Sequence, residues 1–104
     1  MTNTFYGATV FNGDVHGWDT ANVTRMDHMF TKASDFNGDL SEWDTAQVTD
    51  TDQMFVNVHF FNGDINKWDT AKLTDMSAMF QEATAFNGDL NKWDTAQVLS
   101  LIHI

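Results

Sequence analysis

The sequence predicts an α/β repeat fold, a solenoid of short parallel strands with short helices on the opposite side, and three observations point to it. The chain repeats itself every 25 residues without insertion, and periods of this order mark stacked repeat architectures. Within each copy one stretch carries apolar residues at strand spacing. A second stretch carries them at helical spacing.

The repeat is read from its invariant letters. Phe11, Phe36, Phe61 and Phe86 each open Phe-Asn-Gly-Asp, and Trp18, Trp43, Trp68 and Trp93 each open Trp-Asp-Thr-Ala. Val23, Val48, Leu73 and Val98 follow, and then the pairs Met29-Phe30, Met54-Phe55 and Met79-Phe80. The result is a single domain over residues 1–104 with four strand segments, near 11–23, 36–48, 61–73 and 86–98.

Each element has its own warrant. Met76, Met79, Phe80 and Ala83 follow the i, i+3, i+4, i+7 rule, which puts them on one stripe of a short helix. Thr74 or Asp75 is placed to cap its N-terminus, and Asn87-Gly88 ends it in a turn. Leu90, Trp93, Thr95 and Val98 then follow at L-x-x-L-x-L-x-x-L spacing, with Trp93 and Thr95 two apart as a strand requires. No single unit of this kind buries its apolar face alone, so stacked copies are expected to hold the Trp, Met and Phe columns inside.

Composition narrows the partners. Fifteen acidic against five basic residues leave a net charge of −10, which makes nucleic acid and anionic membrane poor partners because binding to either needs a basic surface. The chain has no cysteine, which removes disulfides and thiolate chemistry. No stretch approaches the roughly 18 apolar residues of a membrane span. Met1-Thr2-Asn3 begins no secretion signal, so a secreted parent protein would contain this chain as a mature or excised piece.

The spacing Leu40-x-x-Trp43-x-Thr45-x-x-Val48-Thr49, followed by Met-x-x-Met-Phe-x-x-Ala as at Met76 to Ala83, resembles the BspA-like leucine-rich-type repeats of bacterial surface proteins and lipoproteins. The resemblance covers nearly the whole chain. It implies a curved, right-handed leucine-rich-repeat-like solenoid, displayed on a cell surface or outside the cell and associated with adhesion or with binding host or matrix proteins. No catalytic motif comes with it. Thr51 departs from the pattern in place of the first Met, Val58 stands in place of Ala, and neither end carries a polar cap or a membrane anchor.

Two acidic columns emerge from the alignment of copies. With Trp43 and Thr45 inward, Asp44 and its equivalents Asp19, Asp69 and Asp94 point out on the strand side, one per rung at about 4.8 Å. Carboxylates so close repel unless splayed, paired or bridged. Either each Asp accepts local amide or hydroxyl hydrogen bonds in an Asx-type turn, or the column binds Ca²⁺ or a basic patch on a partner. Asp14, Asp39, Asp64 and Asp89 form the second column, in Asn-Gly-Asp. Turn chemistry with glycine at positive φ is one reading of it, and a Ca²⁺ site is the other, although the EF-hand ligand pattern is absent.

Other candidates are fewer. His16, His28, His59 and His103 occupy different places in the repeat and make no column. The row of Thr20, Thr45, Thr70 and Thr95 is expected to face inward, which argues against an ice-binding face. The repeat is broken at Val56-Asn57-Val58-His59-Phe60-Phe61, where Phe60 either fills space left by Thr51 or joins Val56 and His59 in an exposed partner patch. Leu101, Ile102 and Ile104 extend the apolar candidates to the C-terminal end, where an uncapped edge favours self-association.

The expected function is a non-enzymatic protein-binding or adhesion module without a required cofactor. The alternative is a structural array that pairs through its uncapped ends, as a homodimer or longer, with Ca²⁺ as a stabiliser.

Overall fold

The stretch read as a helix is built from turns. In the computed structural model, which describes residues 4, 6–9, 11–87, 90, 92–96 and 98, the amide of Met29 donates to the Met26 carbonyl at 3.2 Å and that of Ala33 to the Phe30 carbonyl at 2.9 Å. The third residue of each turn is left-handed, His28 at φ 58° and Lys32 at φ 64°, as type II turns require. The same two turns recur one copy on, with Gln53 and Asn57 left-handed, and again with Ala78 and Glu82.

A left-handed residue other than glycine costs roughly 1–2 kcal/mol, so six in register need a compensating force. It comes from bonds between copies. The amides of Met26, His28, Phe30 and Lys32 donate to the carbonyls of Asp50, Asp52, Met54 and Val56 at 2.8 to 3.0 Å. Thr51, Gln53, Phe55 and Asn57 donate in turn to Asp75, Ser77, Met79 and Gln81 at 2.9 to 3.0 Å. Alternate amides thus stitch one rung to the next, while amides between them close turns within a rung.

The strand stretch is likewise interrupted. Trp43 donates its amide to the Leu40 carbonyl at 3.2 Å and Val48 to the Thr45 carbonyl at 3.0 Å, which leaves too few consecutive extended residues to make a strand. Among the described residues there is no helix, and the β pairing consists of isolated parallel bridges joining Arg25 to Asp50 and Asp50 to Asp75. The predicted α/β class, with its right-handed leucine-rich-repeat-like solenoid of short parallel strands and opposed helices, is therefore overturned. The physical reason is a degeneracy of spacing. An i, i+3 turn places both its corner residues on the inside, so Leu-x-x-Trp, Thr-x-x-Val, Met-x-x-Met and Phe-x-x-Ala are successive corners of one rung.

The corners make the core. Met26, Met29, Phe30, Ala33, Phe36 and Leu40 are fully buried, with Trp43 and Val48 nearly so, and the next copy repeats the pattern. Two phenylalanine columns run side by side through the stack. Phe30, Phe55 and Phe80 lie 5.7 and 5.6 Å apart, Phe36, Phe61 and Phe86 lie 5.9 and 6.0 Å apart, and the two columns touch at 4.1 to 4.5 Å. Offset stacking at such distances is favourable beyond the area it buries.

Side chains complete the links between rungs. The indole N–H of Trp43, Trp68 and Trp93 donates to the carbonyl of Val15, Leu40 and Ile65, at 2.9, 2.8 and 2.9 Å. Asn12, Asn37 and Asn62 each accept on Oδ1 the amide of the next asparagine in the column, at 2.8, 3.1 and 2.8 Å. The glycine after each of these asparagines is not at positive φ, contrary to the turn reading. Its requirement is space: a Cβ on Gly13, Gly38 or Gly63 would lie 2.7 to 3.0 Å from the ring of Phe11, Phe36 or Phe61.

Candidate functional site

Among the described residues, both acidic columns are exposed and locally satisfied. Asp19, Asp44, Asp69 and Asp94 each accept on Oδ1 the amide two residues on, that of Ala21, Ala46, Ala71 and Ala96, at 3.0 to 3.1 Å. These are Asx turns, repeated at each rung. The adjacent threonines turn inward and bond the backbone of the next rung's aspartates rather than a carboxylate, Thr20, Thr45 and Thr70 donating their hydroxyls to the carbonyls of Asp44, Asp69 and Asp94 at 3.0, 3.2 and 3.1 Å.

The second column behaves the same way. Asp14 accepts from the His16 amide at 2.9 Å and Asp64 from the Asn66 amide at 3.0 Å. Asp39 accepts from Ser41 twice, hydroxyl at 2.6 Å and amide at 2.9 Å. Those bonds, the hydroxyl's first, hold its carboxyl below the usual carboxylate range. His16 Nδ1 lies 3.4 Å from Asp39 on the neighbouring rung. Asp89 lies outside the described residues.

Calcium takes 6–8 oxygen ligands around one point, and the columns do not supply that arrangement. Each copy contributes its acids singly, with one oxygen of each already turned toward a local N–H. Among the described residues no three His, Asp or Glu side chains come together in a way that could hold a metal ion.

A third acidic group was not visible as a site in the sequence, because its members lay on the expected helix and its cap. Asp50 and Asp75 share the bridged column with Arg25. Arg25 grips the Asp27 carboxylate with Nε at 3.1 Å and Nη2 at 3.0 Å, and reaches Asp50 at 3.6 Å. Asp27 is 5% exposed, a burial that this forked pairing makes tolerable. Burial raises the carboxyl of Asp50, helped by the nearby charges of Asp27 and Asp75, and burial also raises that of Asp52, helped by Asp75. Knowing that residues 25, 50 and 75 are column-mates would have exposed the group.

The break in the repeat resolves in favour of the surface. Thr51 is buried and donates its hydroxyl to Met79 Sδ at 3.3 Å, and Val58 is fully buried in the place of Ala33. A small cavity beside Thr51, about 10 Å³, is lined also by Val48, Trp68, Leu73 and Trp93. Phe60 does not fill it: 59% of Phe60 is exposed. His59 is exposed beside it and Val56 is half-buried, whereas the equivalents of Phe60 in the flanking copies are Asp35 and Ala85. Leu101, Ile102 and Ile104 lie outside the described residues. Two further large apolar side chains, Tyr6 and Trp18, are 48% and 41% exposed. Sequence reasoning placed Trp18 in the core with its column-mates.

Rungs of linked turns, stacked in a 25-residue register with the described aspartates of both exposed columns accepting amides in Asx turns, define a repeat protein. The chain belongs to the family described as "Mycoplasma protein of unknown function, DUF285", whose model matches residues 1–103. No curated protein matches it, and no solved structure does.

Proposed function

We propose that the chain is a non-enzymatic binding module, of the BspA-like kind, through which a parent protein at the cell surface attaches to a protein partner such as a host or matrix component. The observation that carries this reading is the placement of Phe60. A stack that packs its repeat phenylalanines in or against the core holds this additional one outward, at a rung position filled by Asp35 in the preceding copy and Ala85 in the following one. Aromatic side chains, phenylalanine among them, are enriched in the cores of protein interfaces, where a rigid ring buries much area at little entropic cost. The backbone beneath it is anchored, since the amide of the adjacent His59 donates to the Ser34 carbonyl at 3.2 Å. The acidic remainder of the surface supports a basic rather than an acidic partner.

The test is binding of the immobilised chain to fibronectin, laminin and collagen, with Phe60→Asp beside the native protein. Asp already stands at the equivalent position 35, so the variant keeps the fold. Loss of an aromatic anchor of about 2 kcal/mol weakens binding roughly thirtyfold. Equal binding by both proteins would overturn the assignment of Phe60.

A further inference from the structure

Asn12-Gly13, Asn37-Gly38, Asn62-Gly63 and Asn87-Gly88 stand at one rung position. Asparagine is thermolabile, and most so before glycine, which has no side chain to shield its amide nitrogen. All four asparagines are exposed, so water reaches them. The reaction runs in two steps. The glycine nitrogen, having given its proton to solvent base, attacks asparagine Cγ, and Nδ2 takes a proton and leaves as ammonia, which closes a five-membered succinimide. One water then opens the ring. Cleavage of the new bond to Cγ leaves aspartate. Cleavage at the former main-chain carbonyl leaves isoaspartate, whose main chain runs through the old side chain and is longer by one methylene. A water is consumed and an ammonia released, with no change of oxidation state.

Two contacts oppose the first step. Oδ1 of Asn12, Asn37 and Asn62 accepts the amide of Asn37, Asn62 and Asn87 at 2.8, 3.1 and 2.8 Å, which holds each Cγ toward the next rung. A Cβ on Gly38 would lie 2.8 Å from the Phe36 ring, so residues 36 and 38 share a face as in an extended chain. In such a chain the side chain of residue 37 and the amide that follows it point apart, and the ring cannot close. We infer that the Asn-Gly pairs at 12, 37 and 62 are modification sites guarded by the stack, closed to deamidation while each asparagine holds the amide of the next rung and open to it when that bond breaks. The two products differ in what they permit afterwards. Aspartate keeps an oxygen for the next amide and adds a negative charge to a chain already at −10. Isoaspartate lengthens the main chain of its rung, so the 25-residue register that joins it to its neighbours is lost. Opening of a rung is thereby recorded as an irreversible covalent mark.

Peptide mapping of the native chain, held at mildly alkaline pH in buffer and in urea, tests this by counting isoaspartate at each position. Positions 12 and 37 are expected to react at least about tenfold more slowly in buffer, by the factor that local opening imposes and that hydrogen exchange of the Asn37 and Asn62 amides measures independently. Asn62→Pro removes the amide that Asn37 holds and keeps the one that Asn12 holds, so it speeds position 37 and leaves position 12 slow. If Asn62→Pro fails to fold, the native chain still decides: after refolding from urea, size exclusion is expected to find isoaspartate at position 37 in the unfolded fraction alone. A rate in buffer equal to or above that in urea overturns the proposal, and a higher one would mean that the neighbouring amide polarises Cγ for attack. It is equally overturned by a folded Asn62→Pro chain whose position 37 stays slow, or by isoaspartate spread evenly over both fractions.

Discussion

Gly38 shows how closely single residues are held. Its Cβ position lies 2.8 and 2.9 Å from two atoms of the Phe36 ring, a fully buried side chain stacked between Phe11 and Phe61. The ring has no room to retreat, so Gly38→Ala is expected to destabilise the chain by about 1–3 kcal/mol, the usual cost of overpacking. Urea unfolding measures it, and an unchanged midpoint would mean that the ring shifts freely. At this scale much was legible in the sequence. The inward Trp, Met and Phe columns and the outward aspartates follow from the alignment of copies, as do the Asx turns. The role of the glycines was not legible, because Phe-Asn-Gly-Asp reads as a turn whether glycine supplies positive φ or merely an absent Cβ. Only the ring's position distinguishes the two.

At the scale of the element, the rung is a ring of turns, and the misread helix has a clear origin. Met-x-x-Met-Phe-x-x-Ala satisfies a helix stripe and two linked turns equally, and the left-handed residues that would have told them apart are His28, Lys32, Gln53, Asn57, Ala78 and Glu82. Four of these six, Lys32, Gln53, Ala78 and Glu82, are types that sequence reasoning does not associate with positive φ. The acids on these turns also give the rungs a pH signature. Burial first, then the charges of Asp27 and Asp75, raises the Asp50 carboxyl above 3.8, so the folded chain takes up that proton before the unfolded one does. Stability from protonated Asp50 is thus fully present below pH 3.8 and is lost as pH rises through the higher folded value. Asp50→Asn keeps an oxygen for the Asp52 amide while removing the charge. It is expected to raise stability at neutral pH, with the gain shrinking as pH falls toward 3.8. Denaturant unfolding at both pH values checks it, and a loss at neutral pH would show that the Arg25 pairing outweighs burial. Asp39 acts with the opposite sign: its lowered carboxyl contributes stability above 3.8 that is lost as pH falls through its folded value.

At the scale of the whole molecule, the chain has a radius of gyration of 12.2 Å, close to the roughly 13 Å of a folded domain of this length. It reaches that size by hydrogen bonding across rungs rather than within helices. The period and phase of the stacking were legible because every copy has the same length. The exposure of Phe60 was legible only as a break in the pattern, and which way its ring pointed depended on how Thr51 and Val58 pack in the interior. Since the aspartates are already committed to local amides, the melting temperature is expected to be the same in calcium as in chelator at equal ionic strength. A rise in calcium would reveal a metal site between copies. The central claim is that successive copies are joined residue by residue through their backbones. Couplings across hydrogen bonds, measured by NMR on the labelled chain, test this most directly. They should link the His28 amide nitrogen to the Asp52 carbonyl carbon and that of Phe30 to Met54. A coupling from the Phe30 nitrogen to the Met26 carbonyl would instead establish a helix and contradict the account.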